Sequence, residues 1–320
     1  MKHSRWKRWG AAAVKLLIVG VVVWFLHHTI ADAWRQLSSN PPRLKVGWLV
    51  LAALLYLAGT LLCGVFWFYL LRVLGQQVGL GQTLRAYYVG HLGKYVPGKA
   101  MVVILRAGLV RGQGVDTALA AAAVFFETLT MMATGAMLAG AIVVFWFHAE
   151  PLLFWASVGL MLVAGLPTVP PLFRRLTRLV GVGRKNPGVV GKLWGLGFRA
   201  MLVGWLLTGM GWIVQGFGFW AVLRALGVAD PNPLIQLPLH TAAVTLATVA
   251  GFVSFVPGGA VVREAVLAEL MVPHLGGGVS LISAVLLRLV GLVAELAISG
   301  ILYLGVRGPK SSAGDRRNGV

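Results

Sequence analysis

The residues of this chain that could do chemistry are few, and they gather at two breaks. Val96-Pro97-Gly98 is flanked by Lys94, Lys99 and Arg106, and Val256-Pro257-Gly258-Gly259 is followed at once by Arg263 and Glu264. Glu127, Arg288 and Glu295 lie inside the apolar runs that come after. Proline removes a backbone donor and glycine tolerates unusual φ, so a helix should break at each motif. In hydrocarbon a broken helix leaves N–H and C=O groups unpaired, and only protein or a water-lined cavity can receive them. Charges beside such a break are costly unless paired, and they mark binding or transport pathways.

The half-helix that starts after Pro97-Gly98 presents free N–H groups and a positive dipole end, and Lys99 stands beside it. That combination predicts an anion site, for which a lipid phosphate is the natural ligand at that depth. Glu127 and Arg288 follow their breaks at matching distances with opposite charge, so a Glu127–Arg288 or a Glu264–Arg288 ion pair is expected. Glu295 is two turns beyond Arg288 on roughly the same face and is expected to share its network. Plain alternatives stand beside these readings. Lys94 would serve equally as an anchor that snorkels to the interface, and the ion pair could be purely structural.

The remaining candidates are weaker. His27, His28 and His148 (beside Glu150) sit at span ends, whereas His91 and His240 fall within the broken segments. Cys63 is the single cysteine, which excludes an intrachain disulfide or a cysteine metal cluster. No phosphate-binding loop follows a strand, and no nucleophile motif or zinc-ligand spacing occurs. No enzyme activity, cofactor or metal is therefore expected.

These residues are carried by a very apolar chain. Of 320 residues 58% are hydrophobic and 12% charged, with a mean hydropathy of +0.83. Several runs reach the ~20 residues needed to cross a bilayer, which implies a polytopic all-α membrane protein. A net charge of +19 would suggest nucleic acid in a soluble chain. Here most Lys and Arg fall between apolar runs, as the positive-inside rule requires, and no nucleic-acid partner is expected. The basic N-terminus followed by an apolar stretch reads as a retained first span over residues 11–26, with Lys15 snorkelling, rather than as a cleaved signal. Further spans are expected over 46–71, 118–147, 152–169 (closed by Pro170-Pro171), 200–223 and 279–304. The broken segments run from about 86 to 110 and from 237 to 274. Residues 172–199 read as a basic loop and 307–320 as a disordered tail, the rest (1–306) forming one transmembrane domain.

The motif Val-Pro-Gly recurs at Pro97 and Pro257, each followed by a Gly-rich turn and then by a span with a buried charge. A unit of span, broken segment and span thus appears twice, over roughly 46–147 and 200–304. About six full spans and two broken or re-entrant segments put both termini on one side. That side then holds 18 Lys and Arg, including Arg72, Arg85, Arg111 and the seven of residues 172–199, while the other holds 4, Arg35, Arg43, Lys45 and Arg224. The asymmetry predicts cytoplasmic termini in a cell membrane and makes the two units inverted repeats.

The segments GKYVPGKAMVVILRAGLV, followed by a span with Glu127, and VPGGAVVREAVL, followed by a span with Arg288, resemble the flippase-like transmembrane region of lysylphosphatidylglycerol synthases. The likeness covers roughly residues 15–306. Thr128 stands where the family commonly has a basic residue, and Lys99 where a second glycine is often found. Only a short tail follows Val306, so what is implied is the lipid-handling membrane part without the aminoacyl-transferase domain. The reading reached is a lipid translocase for a phosphate-bearing lipid or polyprenyl-linked glycolipid. Lys99 and the half-helix ends (Pro97, Gly98, Pro257, Gly258, Gly259) would hold phosphate, and Arg263, Glu264, Arg288 and Glu127 would form a charged switch. The alternative is a non-catalytic membrane partner of a glycosyltransferase or lipid-modifying enzyme, docked through the basic loop. An intramembrane enzyme ranks last.

Overall fold

A computed structural model of the protein describes residues 44–96, 100–111, 115–146, 151–179, 191–254 and 256–305. The expected span over 11–26, the histidines at 27, 28 and 148, the residues Pro97, Gly98 and Lys99, the turn at 112–114 and the tail from 307 lie outside the described residues. Among those described the structure is helical, with no strand. Four helices are long and predominantly apolar: α1 (Val46–Val73), α4 (Thr117–Trp146), α7 (Phe198–Ala225) and α10 (Gly277–Leu304). The 28 residues of α1 make about 42 Å of helix, enough to cross a ~30 Å hydrocarbon core with tilt. Their outward faces carry apolar residues at helical spacing. Leu202, Leu206, Met210 and Ile213 form such a stripe on α7, as do Leu289, Val293 and Leu296 on α10. A water-soluble fold would bury these stripes; here they are the surface presented to lipid.

Both predicted breaks are present. The first segment is α2 (Leu80–His91), a 3-10 turn over Leu92–Tyr95, and α3 (Ala100–Leu109). At 12 and 10 residues these helices reach only about 18 and 15 Å, so neither crosses the core alone. They pack against each other because Gly93 and Gly90 of one arm meet the backbone of Met101, Val102 and Arg106 of the other. The second segment is unequal. Helix α8 (Pro233–Val253) has 21 residues, span length, and is capped by Asn232, whose side chain accepts from the Leu234 N–H at 3.0 Å. Helix α9 (Val262–Leu275) has 14. Between them a 3-10 turn, Pro257–Gly259, holds Gly258 and Gly259 at φ 60° and 65°. Val261 follows at φ 69° and ψ −50°, a conformation that a β-branched side chain rarely adopts.

Two expectations need correction. The run 152–169 is not one span. Helix α5 (Pro151–Gly165) stops after 15 residues, because Gly165-Leu166-Pro167 turns into a 3-10 turn and Pro167 cannot continue the ladder. Pro170-Pro171 then opens a helix instead of closing one. That helix, α6 (Pro170–Leu179), makes the start of the basic segment ordered structure rather than loop. Arg174 donates to the Pro170 carbonyl, its guanidinium lies over the Trp194 ring at 4.3 Å, and Phe173 is buried beneath.

The packing of the two units has a common plan. α1 and α7, the spans that precede the breaks, form the most extensive helix pair, where Gly59 and Gly211 each approach the other's carbonyl oxygen. α4 packs on α8, and its counterpart α10 packs on α2. α4 also packs on α7, and α10 on α1. The 3-10 turns of the two breaks touch each other. Exchanging α1 with α7, α2 with α8, α3 with α9 and α4 with α10 turns each of these contacts into another that is present.

Candidate functional site

Two buried ion pairs stand at equivalent places with their signs exchanged. In the first unit the short arm α3 supplies Arg106 and the following span α4 supplies Glu127, 2.8 Å apart and 2% and 1% exposed. In the second unit the arm α9 supplies Glu264 and the span α10 supplies Arg288, at 3.3 Å. The expected Glu264–Arg288 pair is therefore present. Glu127 does not meet Arg288, because Glu127 is taken by Arg106 of the arm before it and Arg288 by Glu264 of the arm before it. Arg106 is further held by the Tyr87 ring, 3.9 Å from its guanidinium carbon, and by His91 Nδ1 at 2.8 Å. Thr128 adds a donor to Glu127 at 3.3 Å.

Between the pairs lies Glu295, 2% exposed. One of its oxygens accepts from Lys94 Nζ and from the Tyr56 hydroxyl, and the other from the Tyr95 hydroxyl at 2.9 Å. His91 Nε2 is 3.5 Å away. Glu295 thus ties α1, α10 and the first break together. Arg288 stacks over the Tyr95 ring at 5.7 Å and donates to the Gly258 carbonyl at 2.8 Å, which joins the first break to the second. The result is a polar chain of Glu127, Arg106, His91 and Glu295 with Lys94, Tyr56 and Tyr95, which the Tyr95 ring joins to the Arg288–Glu264 pair.

Arg263 stands apart. Its Nη2 donates to Thr248 Oγ1 at 2.9 Å, and no carboxylate lies within 4.0 Å of it among the described residues. Its aliphatic stem lies across Gly251 and Gly259. A Cβ added at Gly251 would be 2.3 Å from Arg263 Cγ, and one at Gly259 3.0 Å from both Cγ and Cδ. The same device serves Arg106, whose stem lies on Gly90 with 2.5 Å to an added Cβ. Each arm's arginine is seated on a glycine of the half-helix before the break.

Two cavities adjoin this network. The larger, about 160 Å³, is lined by the Arg106–Glu127 pair, the second break, Thr248 and, on its apolar side, Met131 and Met132. The smaller, about 40 Å³, is lined by Glu264 and Arg288. Tyr56, Lys94, Gln215 and Arg263 line both, so these four side chains form the wall between the cavities.

The structure thus brings Lys94, Arg106, Glu127, Pro257, Gly258, Gly259, Arg263, Glu264, Arg288 and Glu295 around two adjoining cavities. His91 joins them, but His240 lines neither cavity and packs against Phe219 at 5.4 Å. Sequence reasoning missed Tyr56, Tyr87, Tyr95, Thr248 and Gln215. Gln215 carried a signal, a side-chain amide in the middle of an apolar span; the tyrosines were hidden among residues ordinary at span ends. Among the described residues no group of three or more His, Cys, Asp or Glu could hold a metal ion.

Comparison with known proteins agrees with this architecture at the level of family. No curated protein and no solved structure matches the chain. Residues 12–299 match the family model of the lysylphosphatidylglycerol synthase TM region. Nearly all of the chain is covered, and five of its helices are long and apolar enough to cross a membrane. The protein is a multi-pass membrane protein that belongs to the lysylphosphatidylglycerol synthase TM region family.

Proposed function

We propose that the protein is a lipid translocase, non-enzymatic, that carries a phosphate-bearing lipid or polyprenyl-linked glycolipid between leaflets of the cell membrane. The observation that carries this reading is the wall between the cavities, built from both breaks and from spans of both units. Two units related by exchange of α1–α4 with α7–α10 would be inverted repeats, with termini in the cytoplasm. One cavity would then face each leaflet, and rocking one unit against the other would open them in turn. The chemistry asked of the protein is to shelter a charged headgroup while it crosses hydrocarbon, and polar walls beside apolar ones support that. The test is lipid exchange between leaflets of proteoliposomes. Arg288→Ala cuts Glu264 and the Gly258 carbonyl loose, so exchange should fall at least about tenfold, given 1.5–3 kcal/mol for a charged hydrogen bond. Equal rates in wild type and variant would remove the central charges from the mechanism.

A second reading, a membrane partner of a lipid-modifying enzyme, is favoured by one observation. Arg174 and Arg175 stand on the short helix α6, and Arg174 lies over the ring of the exposed Trp194. A soluble enzyme that co-purifies with the chain, and is lost when these arginines become glutamine, would support it.

A further inference from the structure

The two arms seat their arginines alike, but the residue after each seat differs. Arg106 lies on Gly90 and Arg263 on Gly251. Next to Gly90 is His91, and next to Gly251 is Phe252. Of these two rings only the imidazole can take up a proton. Its tautomer follows from its partners. His91 Nδ1 is 2.8 Å from Arg106 Nη2. A guanidinium only donates, so Nδ1 is the acceptor and carries no proton. The ring is therefore neutral, with its N–H at Nε2, the nitrogen that faces the Glu295 carboxylate at 3.5 Å. Tyr87 stacks on the same imidazole at 5.7 Å and holds the Arg106 guanidinium at 3.9 Å.

A proton on Nδ1 would aim an N–H at a group without a lone pair and set two cations in contact. His91 can therefore be charged only once Arg106 has moved off it. The neighbours allow that exchange. Arg106 has Glu127 at 2.8 Å to move with, and the new imidazolium faces Glu295. Neither charge is left bare. The other titratable or charged groups about the ring are Lys94 and Tyr95 on the 3-10 turn, Tyr56 on α1 and Arg263 on α9. The first three are bound to Glu295 and the last to Thr248. His91 lines the larger cavity, so water there can deliver the proton.

We infer that the protein is proton-coupled: His91 takes up one proton at Nδ1 when Arg106 leaves it, and returns that proton to water when Arg106 comes back. Proton uptake and release of the α3 arm from α2 are then one event, so acid favours the released arm. With Phe252 in the equivalent place, the second break has no such group, and the proton acts on the first break alone. This names the coupling ion of the lipid-translocase reading, and rests on that reading only for what release of the arm serves.

The test follows the arm itself. Gly108 on α3 is exposed, with nothing within 4 Å of an added Cβ. Bimane attached to Gly108→Cys on a Cys63→Ala background, in the full chain in nanodiscs, reports the arm's surroundings. Its emission should shift between about pH 8 and 5, where imidazole titrates. The ratio of released to seated arm should grow by at most about tenfold per pH unit, the limit for one proton. His91→Gln keeps an acceptor for Arg106 but takes no proton, so its emission should stay constant. His91→Phe, which copies Phe252, serves where His91→Gln does not fold. Lipid exchange in proteoliposomes, measured alongside, should vary with pH in wild type and not in the variants. Flat wild-type emission, a steeper slope, a shift that survives in the variants, or exchange indifferent to pH would overturn the inference and leave translocation standing. A shift that depends on His91 in a protein that exchanges no lipid would keep the proton site and end the translocase reading.

Discussion

Arg106 and Glu127 are almost wholly buried, so neither charge can turn to water when its partner is removed. Glu127→Gln should therefore destabilise the protein by about 3–5 kcal/mol, as should Arg106→Gln. The double variant Arg106→Met, Glu127→Leu should be more stable than either single one, since it leaves no charge behind. Cys63, the sole cysteine and 2% exposed, gives the measurement: a thiol-reactive fluorogenic dye should label it only on thermal unfolding. A double variant less stable than both singles would mean that the pair is valued for more than neutralising itself. Which residues could carry charge into the apolar interior was plain from sequence, because they stand within runs that are otherwise apolar. Which of them pair was not. Matching positions in two repeats suggested Glu127 with Arg288, but contact is decided by the nearest helix, and each span lies closest to the arm of its own unit.

The breaks show the same division at the scale of the helix. Pro97 and Pro257 announced them, yet the sequence did not show how closely the arms fold back. That distance is set by Gly90 and Gly251, each of which accepts an arginine stem in place of its own side chain. Gly251→Ala would put a methyl group 2.3 Å from Arg263 Cγ. The strain expected is about 1–3 kcal/mol, and Arg263 must move, so lipid exchange between leaflets should slow even though the guanidinium is intact. An exchange rate equal to wild type would show that the glycine seat is not needed. Val261 is strained in the opposite sense: a branched residue holds φ 69° where glycine would be at ease. Val261→Gly should not destabilise the chain by more than a few tenths of a kcal/mol, despite glycine's usual entropic cost, and should raise the unfolding temperature if relief of 1–3 kcal/mol of strain wins. The misread span over 152–169 teaches the complement. Hydropathy runs on through Gly165-Leu166-Pro167, but the backbone cannot.

At the scale of the molecule, the exchange of contacts between α1–α4 and α7–α10 is what an internal two-fold would produce, and the inverted arrangement can be tested at the mouths of the two broken segments. Gly81 begins α2, and Gly277 follows the end of α9 at the start of α10. Both are exposed, with nothing within 4 Å of an added Cβ, so cysteines there should not disturb the fold. On a Cys63→Ala background, Gly81→Cys should label from one face of sealed vesicles and Gly277→Cys from the other. Labelling of both from one face would end the inverted-repeat reading and favour the membrane-partner alternative. The two breaks were legible because proline, glycine and charge recur at nearly the same offsets around them. The wall between the cavities was not, because Tyr56 and Gln215 reach it from spans whose sequences otherwise read as lipid-facing. That wall makes the protein resemble an ion-exchange bed. Lys94 is its fixed cation and Glu295 its resident counter-ion, so the wall is neutral at that point with no anion from outside. Wild-type liposomes should accordingly be tight to chloride, whereas Glu295→Gln, which leaves the bed without its counter-ion, should let halide through at a rate that a halide-quenched dye can follow.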